Sequence, residues 1–267
     1  MLSFRVINEV LFLMLQIPTM VQKPLLGICF FLVLLGCTNQ EKLTYELTSI
    51  KEQACESCPT IDIQVPKILD ETPLASLINK AITEEISAQL VFEESSGGIV
   101  LENAIASFNE GFEAVKRQFE DQTIPWEATL SGDIVYEDAQ MVTVVINSYL
   151  FTGGAHGNSD VSYLNFDKVT GTEIENWELF DDEEGFTHYA ETKFRIQEKV
   201  PQDDSINQTG FMFEAEVFHL SENIGYTPDG VQLLYNPYEI ASFAEGPIVL
   251  TIPFQEANKY LKRKPKS

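Results

Sequence analysis

The chain has 267 residues and a formal charge of −24, with only 17 Lys and Arg against 41 Asp and Glu. That balance excludes nucleic acid as a partner, because affinity for phosphates rests on Lys and Arg, and it excludes a surface that lies on anionic lipid. The charge suits cationic partners, whose encounter it would steer, and also the solubility of an exported protein; the length allows one large domain or two small ones.

The first 36 residues read as a signal peptide. From Met20 the sequence MVQKPLLGICFFLVLLGC has a short head with Lys23 and an apolar run from Leu25 to Leu35. That run is too short for a comfortable membrane span. Residues 1–19 precede a signal that is already complete from a methionine, so Met20 is the expected start. Leu34-Leu35-Gly36-Cys37 resembles a bacterial lipobox. The resemblance implies cleavage before Cys37 and attachment of several acyl chains, which together anchor a protein stably to a membrane. An uncleaved helical anchor is the alternative.

Of four cysteines, Cys29 leaves with the signal and Cys37 takes lipid. Cys55 and Cys58 remain, and outside the cytoplasm an isolated pair is most simply a disulfide. A redox dithiol would open a helix after a strand, whereas Pro59 and TIDIQVP follow here; a zinc site would need two further ligands. Residues 37–60 are therefore expected as a lipidated tether carrying the pair.

Ile61, Ile63 and Val65 alternate as in a half-buried strand. Thr72-Pro73 is an N-cap followed by proline at the first helical position. Leu74, Leu77, Ile78, Ala81, Ile82 and Ile86 continue at helical spacing, predicting a helix over 73–91. A second helix carries the stripe Leu101, Ile105, Phe108, Phe112, Val115 and Phe119, read as core. The period then changes. WEATLSGDIVYED and QMVTVVINSYLF read as strands around a break at Glu137-Asp138-Ala139, and VSYLNFD as a third strand after a glycine-rich turn. The run Asp181-Asp182-Glu183-Glu184 reads as a solvated loop before a helix over 184–199. Later come short strands, one of them holding His219, around a turn at Pro228-Asp229-Gly230, a short helix in PYEIASFA, a strand in GPIVLTIPF and a terminal helix in FQEANKYLKRK. The fold class is α+β: two packed lobes of antiparallel sheets with helices on one face, divided as 61–150 and 151–262.

The stretch YLFTGGAHGNSD poses the functional question. A phosphate cradle needs glycines at fixed spacing and a helix immediately after, but Gly153-Gly154-Ala155-His156-Gly157 has other spacing and runs into a strand. His156, His188 and His219 show no short ligand spacing, so no metal and no cofactor is expected. No GxSxG elbow occurs, and carboxylates are too numerous for any pair to stand out. What the residues themselves support is a demanding turn, with His156 bonded across it and more important to folding than to chemistry.

SYLFTGGAHGNSDVSYLNFDKVTGTEI and NPYEIASFAEGPIVLTIPFQEANKYL resemble the C-terminal domain of the extracellular region of the anti-sigma factor RsiV, with Phe254 in place of the usual Tyr. Residues 45–140 resemble the N-terminal, non-catalytic domain of the peptidoglycan deacetylase PdaC. The resemblance implies an α+β fold in the cell envelope, facing the periplasm or the exterior, and a family in which the RsiV region binds lysozyme, a basic protein. The deacetylase barrel and its metal signature are missing from this sequence. The expectation is a non-catalytic, lipid-anchored envelope protein that binds a lysozyme-like protein or a cell-wall glycan. The candidate ligand residues are Thr152, Gly153, Gly154, Ala155, His156, Gly157 and Tyr238. A carboxylate-dependent peptidoglycan-modifying enzyme and a purely structural envelope protein are the alternatives.

Overall fold

The computed structural model describes residues 42–91, 100–119 and 124–265. The signal segment, Met20 and Cys37 lie outside the described residues. Strands β1 (Tyr45–Glu52), β2 (Thr60–Ile68), β3 (Glu127–Glu137), β4 (Met141–Phe151), β5 (Asn158–Asp167) and β6 (Thr172–Glu173) form one sheet in that spatial order. A second sheet holds β7 (Asn223–Thr227), β8 (Gly230–Tyr235) and β9 (Ile248–Ile252). The fold is α+β with antiparallel-rich sheets. β2 and β3 depart from that pattern and run parallel, because helices α1 (Pro73–Leu90) and α2 (Leu101–Gln118) carry the chain back between them.

The helices cover one face of the first sheet. Thr72 caps α1 through Oγ1, which accepts the Ala75 amide at 3.1 Å. Ile78, Ile82 and Ile86 of α1 pack with Ile61, Ile63, Leu130, Val144 and Ile146 of the strands. From α2, Phe108 and Phe112 meet the buried Trp126 edge-on at 5.3 and 6.0 Å between centroids. The second core gathers Phe186, Ala190 and Phe194 of helix α3 (Glu183–Gln197) with Val231, Leu233, Leu250 and Ile252 of the second sheet.

The hydrogen-bonded ladder runs past residue 150, since β5 pairs with β4 along its whole length. β5 is also where the two cores meet. One of its faces, Leu164 and Phe166, belongs to the helix-covered core. The other turns Tyr163, Asn165 and Asp167 toward the second sheet. Asn165 accepts from Thr143 Oγ1 at 2.9 Å and donates to the Ile224 carbonyl at 2.7 Å. Asn236 reads the backbone of β5 as a strand would: its Oδ1 accepts the Val161 amide at 2.9 Å and its Nδ2 donates to the Val161 carbonyl at 3.0 Å. Tyr163 donates its hydroxyl to Gln232 Oε1.

Five local expectations are corrected. The segment read as tether contains β1, an exposed edge strand paired with β2. Its largely exposed residues, with only Ile50 half-buried, hide a strand that carboxylates hold in place: Glu137 Oε1 accepts the Leu43 amide and Asp70 Oδ2 the Thr44 amide, each at 2.8 Å. The acidic run opens α3, where Asp182 Oδ1 accepts the Gly185 amide at 2.9 Å and Glu183 and Glu184 complement the helix dipole. PYEIASFA yields only a 3-10 turn, Phe243–Glu245, because Tyr238 takes φ 72° and breaks helical geometry. The terminal helix α4 (Phe254–Ala257) stops early; beyond it the chain extends along 179–182, with Lys262 N bonded to Leu179 O at 2.9 Å. His219 lies outside a strand, in an exposed segment whose carbonyl accepts the Tyr235 hydroxyl at 2.7 Å.

Candidate functional site

The β4–β5 loop builds the site. Gly153 and Gly154 take φ of 100° and 89°, conformations that side chains with a Cβ rarely adopt. An added Cβ would meet nothing within 4 Å at either position, so dihedral demand, not crowding, selects glycine there. Gly157 is different: a Cβ would stand 2.5 Å from the Tyr149 ring, so the loop lies directly on that side chain. Thr152, Ala155 and His156 are exposed.

His156 Nδ1 donates to the Gly157 carbonyl at 2.9 Å, which leaves Nε2 of the neutral ring as the acceptor. Its imidazole stacks on Phe243, with centroids 4.0 Å apart and planes 16° apart. Tyr238 lies on the same phenyl group at 5.5 Å and 30°. The stretches 152–157 and 237–246, far apart in sequence, therefore meet in an open ladder His156–Phe243–Tyr238. Tyr238 is 61% exposed and holds a left-handed backbone. A bulky side chain at such φ is strained, and such strain concentrates at functional sites.

Carboxylates flank the ladder residues along the chain. Burial pushes the Asp160 carboxyl above its ordinary range, partly offset by the Asn158 amide donating at 2.6 Å. Burial also raises Glu239; the amides of Asn236 oppose this, and the charges of Glu222 and Asp160 add to it. Glu245 shares the 3-10 turn with Phe243. Asp160 and Glu239 are thus near enough for their charges to oppose each other, which a cation would relieve. Because the folded Asp160 pKa is raised, its ionised form weakens the fold at neutral pH, and that penalty fades as pH falls toward the ordinary Asp value. Asp160→Asn is therefore expected to raise the melting temperature at pH 7 and to lose that advantage near pH 4, as read by thermal melts at both pH values.

Among the candidates from sequence, His156 and Tyr238 come together on Phe243, while Thr152, Gly153, Gly154, Ala155 and Gly157 supply the turn. Phe243 itself, Glu222 and Glu239 were not singled out; Phe243 sits within ASFAEG, and only its contact with His156 marks it. His188 and His219 stand elsewhere, and among the described residues no group of three or more His, Cys, Asp or Glu is placed to hold a metal ion. Among those residues, no helix is long and apolar enough to cross a membrane. Cys55 and Cys58 sit in the β1–β2 turn with Cα atoms 5.0 Å apart, within the span of a disulfide.

Residues 51–159 match the family model described as deacetylase PdaC, and residues 177–255 match the model of a protein family of unknown function, DUF3298. The chain is thus similar to the PdaC model over one stretch and to the DUF3298 model over a later one. No curated protein matches it. Two solved DUF3298 structures share the fold. One, from Bacteroides fragilis, is 17% identical with a TM-score of 0.66, over 85% of this chain and 96% of the other. The second, from Pseudomonas aeruginosa, is 22% identical with a TM-score of 0.62, over 85% of this chain and 99% of the other. The motif loop lies just inside the end of the residues matched to the PdaC model, and Tyr238 and Phe243 fall within the DUF3298 match, so the ladder joins the two matched regions.

Proposed function

We propose that the protein is a non-catalytic cell-envelope lipoprotein, anchored through Cys37, stapled at Cys55–Cys58, and facing the periplasm or the exterior. It binds a basic protein of the lysozyme kind at the His156–Phe243–Tyr238 ladder. The single observation that carries this reading is the exposed aromatic stack His156–Phe243–Tyr238, with Asp160, Glu239 and Glu245 close to its residues along the chain. Aromatic faces and carboxylates together favour cationic side chains, Arg above all, through cation–π contact and charge pairing. The chain's net charge adds steering that salt screens.

A cell-wall glycan is the second reading, because an exposed Tyr–Phe–His platform also suits the apolar face of a sugar ring. Titration with lysozyme at low and at physiological ionic strength separates the two. The proposal expects binding that weakens with salt; absence of binding at low salt removes lysozyme as the partner. Salt-insensitive retention on purified peptidoglycan would support the glycan, and altered muropeptides after incubation would reinstate the enzyme.

A further inference from the structure

Beside the ladder, a groove of about 410 Å³ opens between the end of α3, the loop around Gly210 and the segment 241–249. Two carboxylates, Glu198 and Glu245, line it, and no Lys or Arg does. Its floor includes the start of β9, an edge strand of the second sheet.

The backbone of that edge faces the groove. Leu234 turns its carbonyl toward the β7 side, where Ser221 Oγ donates to it. In an antiparallel ladder the two backbone groups of one residue point to the same side, so the pair Leu234–Val249 carries no ladder bonds between β8 and β9. Val249 therefore points both its amide and its carbonyl outward. Its carbonyl confirms this by accepting Gln197 Nε2 at 2.9 Å. Gln197 stands in for a strand on one of the two groups; it is an exposed side chain that also donates to Glu198 Oε1 at 2.8 Å. At the free edge of β5, by contrast, Asn236 satisfies both backbone groups of Val161. The β9 edge is thus half closed, by a group able to swing away.

We propose that this groove receives an extended segment of the partner protein, added as a strand along β9 at Val249, with a Lys or Arg side chain seated between Glu198 and Glu245. Main-chain bonds would give the affinity and the carboxylates the selectivity for a basic segment. The proposal rests on the reading of the partner as a basic protein, and places a second contact next to the ladder.

The test uses the mature chain and a fluorescein-labelled seven-residue peptide of alternating Lys and Thr, followed by anisotropy at low salt. The same peptide N-methylated at alternate amides serves as the strand-incompetent control. The expected result is binding by the wild type, with about tenfold weaker binding both for Glu198→Gln/Glu245→Gln and for the N-methylated peptide. No binding of the unmodified peptide, equal affinity of the Gln variant, or equal affinity of the methylated peptide overturns the proposal; the last result would mean that charge alone holds the peptide. Failure of lysozyme to bind a protein that still binds the peptide in this pattern would remove the larger reading and leave the groove standing. Loss of lysozyme binding by a ladder variant, with peptide affinity unchanged in the Gln variant, would do the reverse.

Discussion

Asp167→Ala is expected to lower the melting temperature by roughly 10 °C, through a loss of about 3 kcal/mol. Asp167 is a hub at the end of β5. Its Oδ1 accepts the Val169 and Thr170 amides at 2.7 and 2.9 Å, which closes the turn into β6. Its Oδ2 takes Arg263 Nε at 3.0 Å and the Nη2 at 2.5 Å. The pair is nearly buried, with side-chain exposures of 8% for Asp167 and 17% for Arg263. Arg263 also donates to the Glu178 carbonyl at 3.1 Å, and its own carbonyl accepts the Tyr226 hydroxyl at 2.9 Å. Removing the carboxylate would leave a guanidinium half desolvated and cut the tie of the C-terminal segment to β5. Burial alone would raise the Asp167 pKa, but the Thr170 amide, Arg263 and the Val169 amide outweigh it and hold the carboxyl below its usual range.

The pH dependence follows from that direction. Stabilisation by a carboxylate with a depressed folded pKa is complete above the unfolded value, about 3.9, and disappears as pH falls through the folded value. The gap between wild type and variant should therefore stay constant from neutral pH down to about pH 5 and close in stronger acid. Asp167→Asn keeps an acceptor for the two amides and loses the charge, so it should fall between the two. Equal melting of wild type and Asp167→Ala at pH 7 would contradict the assignment.

Gly225→Val is expected to destabilise the junction of the two sheets by at least about 3 kcal/mol, the upper range for overpacking. Gly225 lies in the middle of β7 with ordinary backbone dihedrals. Its need for glycine is steric: a Cβ would stand 2.5 Å from Tyr163 Cγ and Cδ1 and 3.0 Å from the Tyr163 Cβ. Cβ and Cγ lie on the axis about which the ring turns, so rotation of the ring does not relieve the clash. Tyr163 is held from its other end by Gln232, and burial pushes its hydroxyl pKa up. Tyr163→Ala in the same chain should restore much of the loss, so the double variant should be clearly less damaged than the sum of the singles. Full additivity in urea melts would show that Gly225 matters for another reason.

These two positions show where sequence reading stops. Local signals were legible. Thr72-Pro73 announced α1, Glu137-Asp138-Ala139 the β3–β4 turn, and VSYLNFD the strand β5. The α+β class and the domain pair followed from the same patterns and from the GGAHG segment. Contacts between distant segments left no local trace. Asp167 and Arg263 are 96 residues apart, and nothing near either names the other. Gly225 reads as a weak spot in a strand until Tyr163 is placed against it. β1 was missed because an exposed edge strand lacks apolar alternation. The terminal helix was overextended because its helical composition is overridden by pairing with residues 179–182. The site was half legible: His156 stood out as a histidine among glycines, but Phe243, which joins it to Tyr238, was one aromatic among many.

The ladder itself is the claim on which the functional account turns. His156 bonds the adjacent Gly157 carbonyl rather than across the turn and, like Tyr238, is exposed, so in place of the folding role expected from sequence, replacing both with alanine should shift stability by no more than surface substitutions usually do, about 0.5 kcal/mol each. The decisive measurement is calorimetric titration of lysozyme into the wild type and into His156→Ala/Tyr238→Ala, at matched low ionic strength and with melts of both proteins. The account predicts equal melting and at least tenfold weaker binding in the variant, since central aromatic anchors carry most of the energy of such contacts. Equal melting with unchanged lysozyme affinity would contradict it and return FTGGAHGN to the role of a turn.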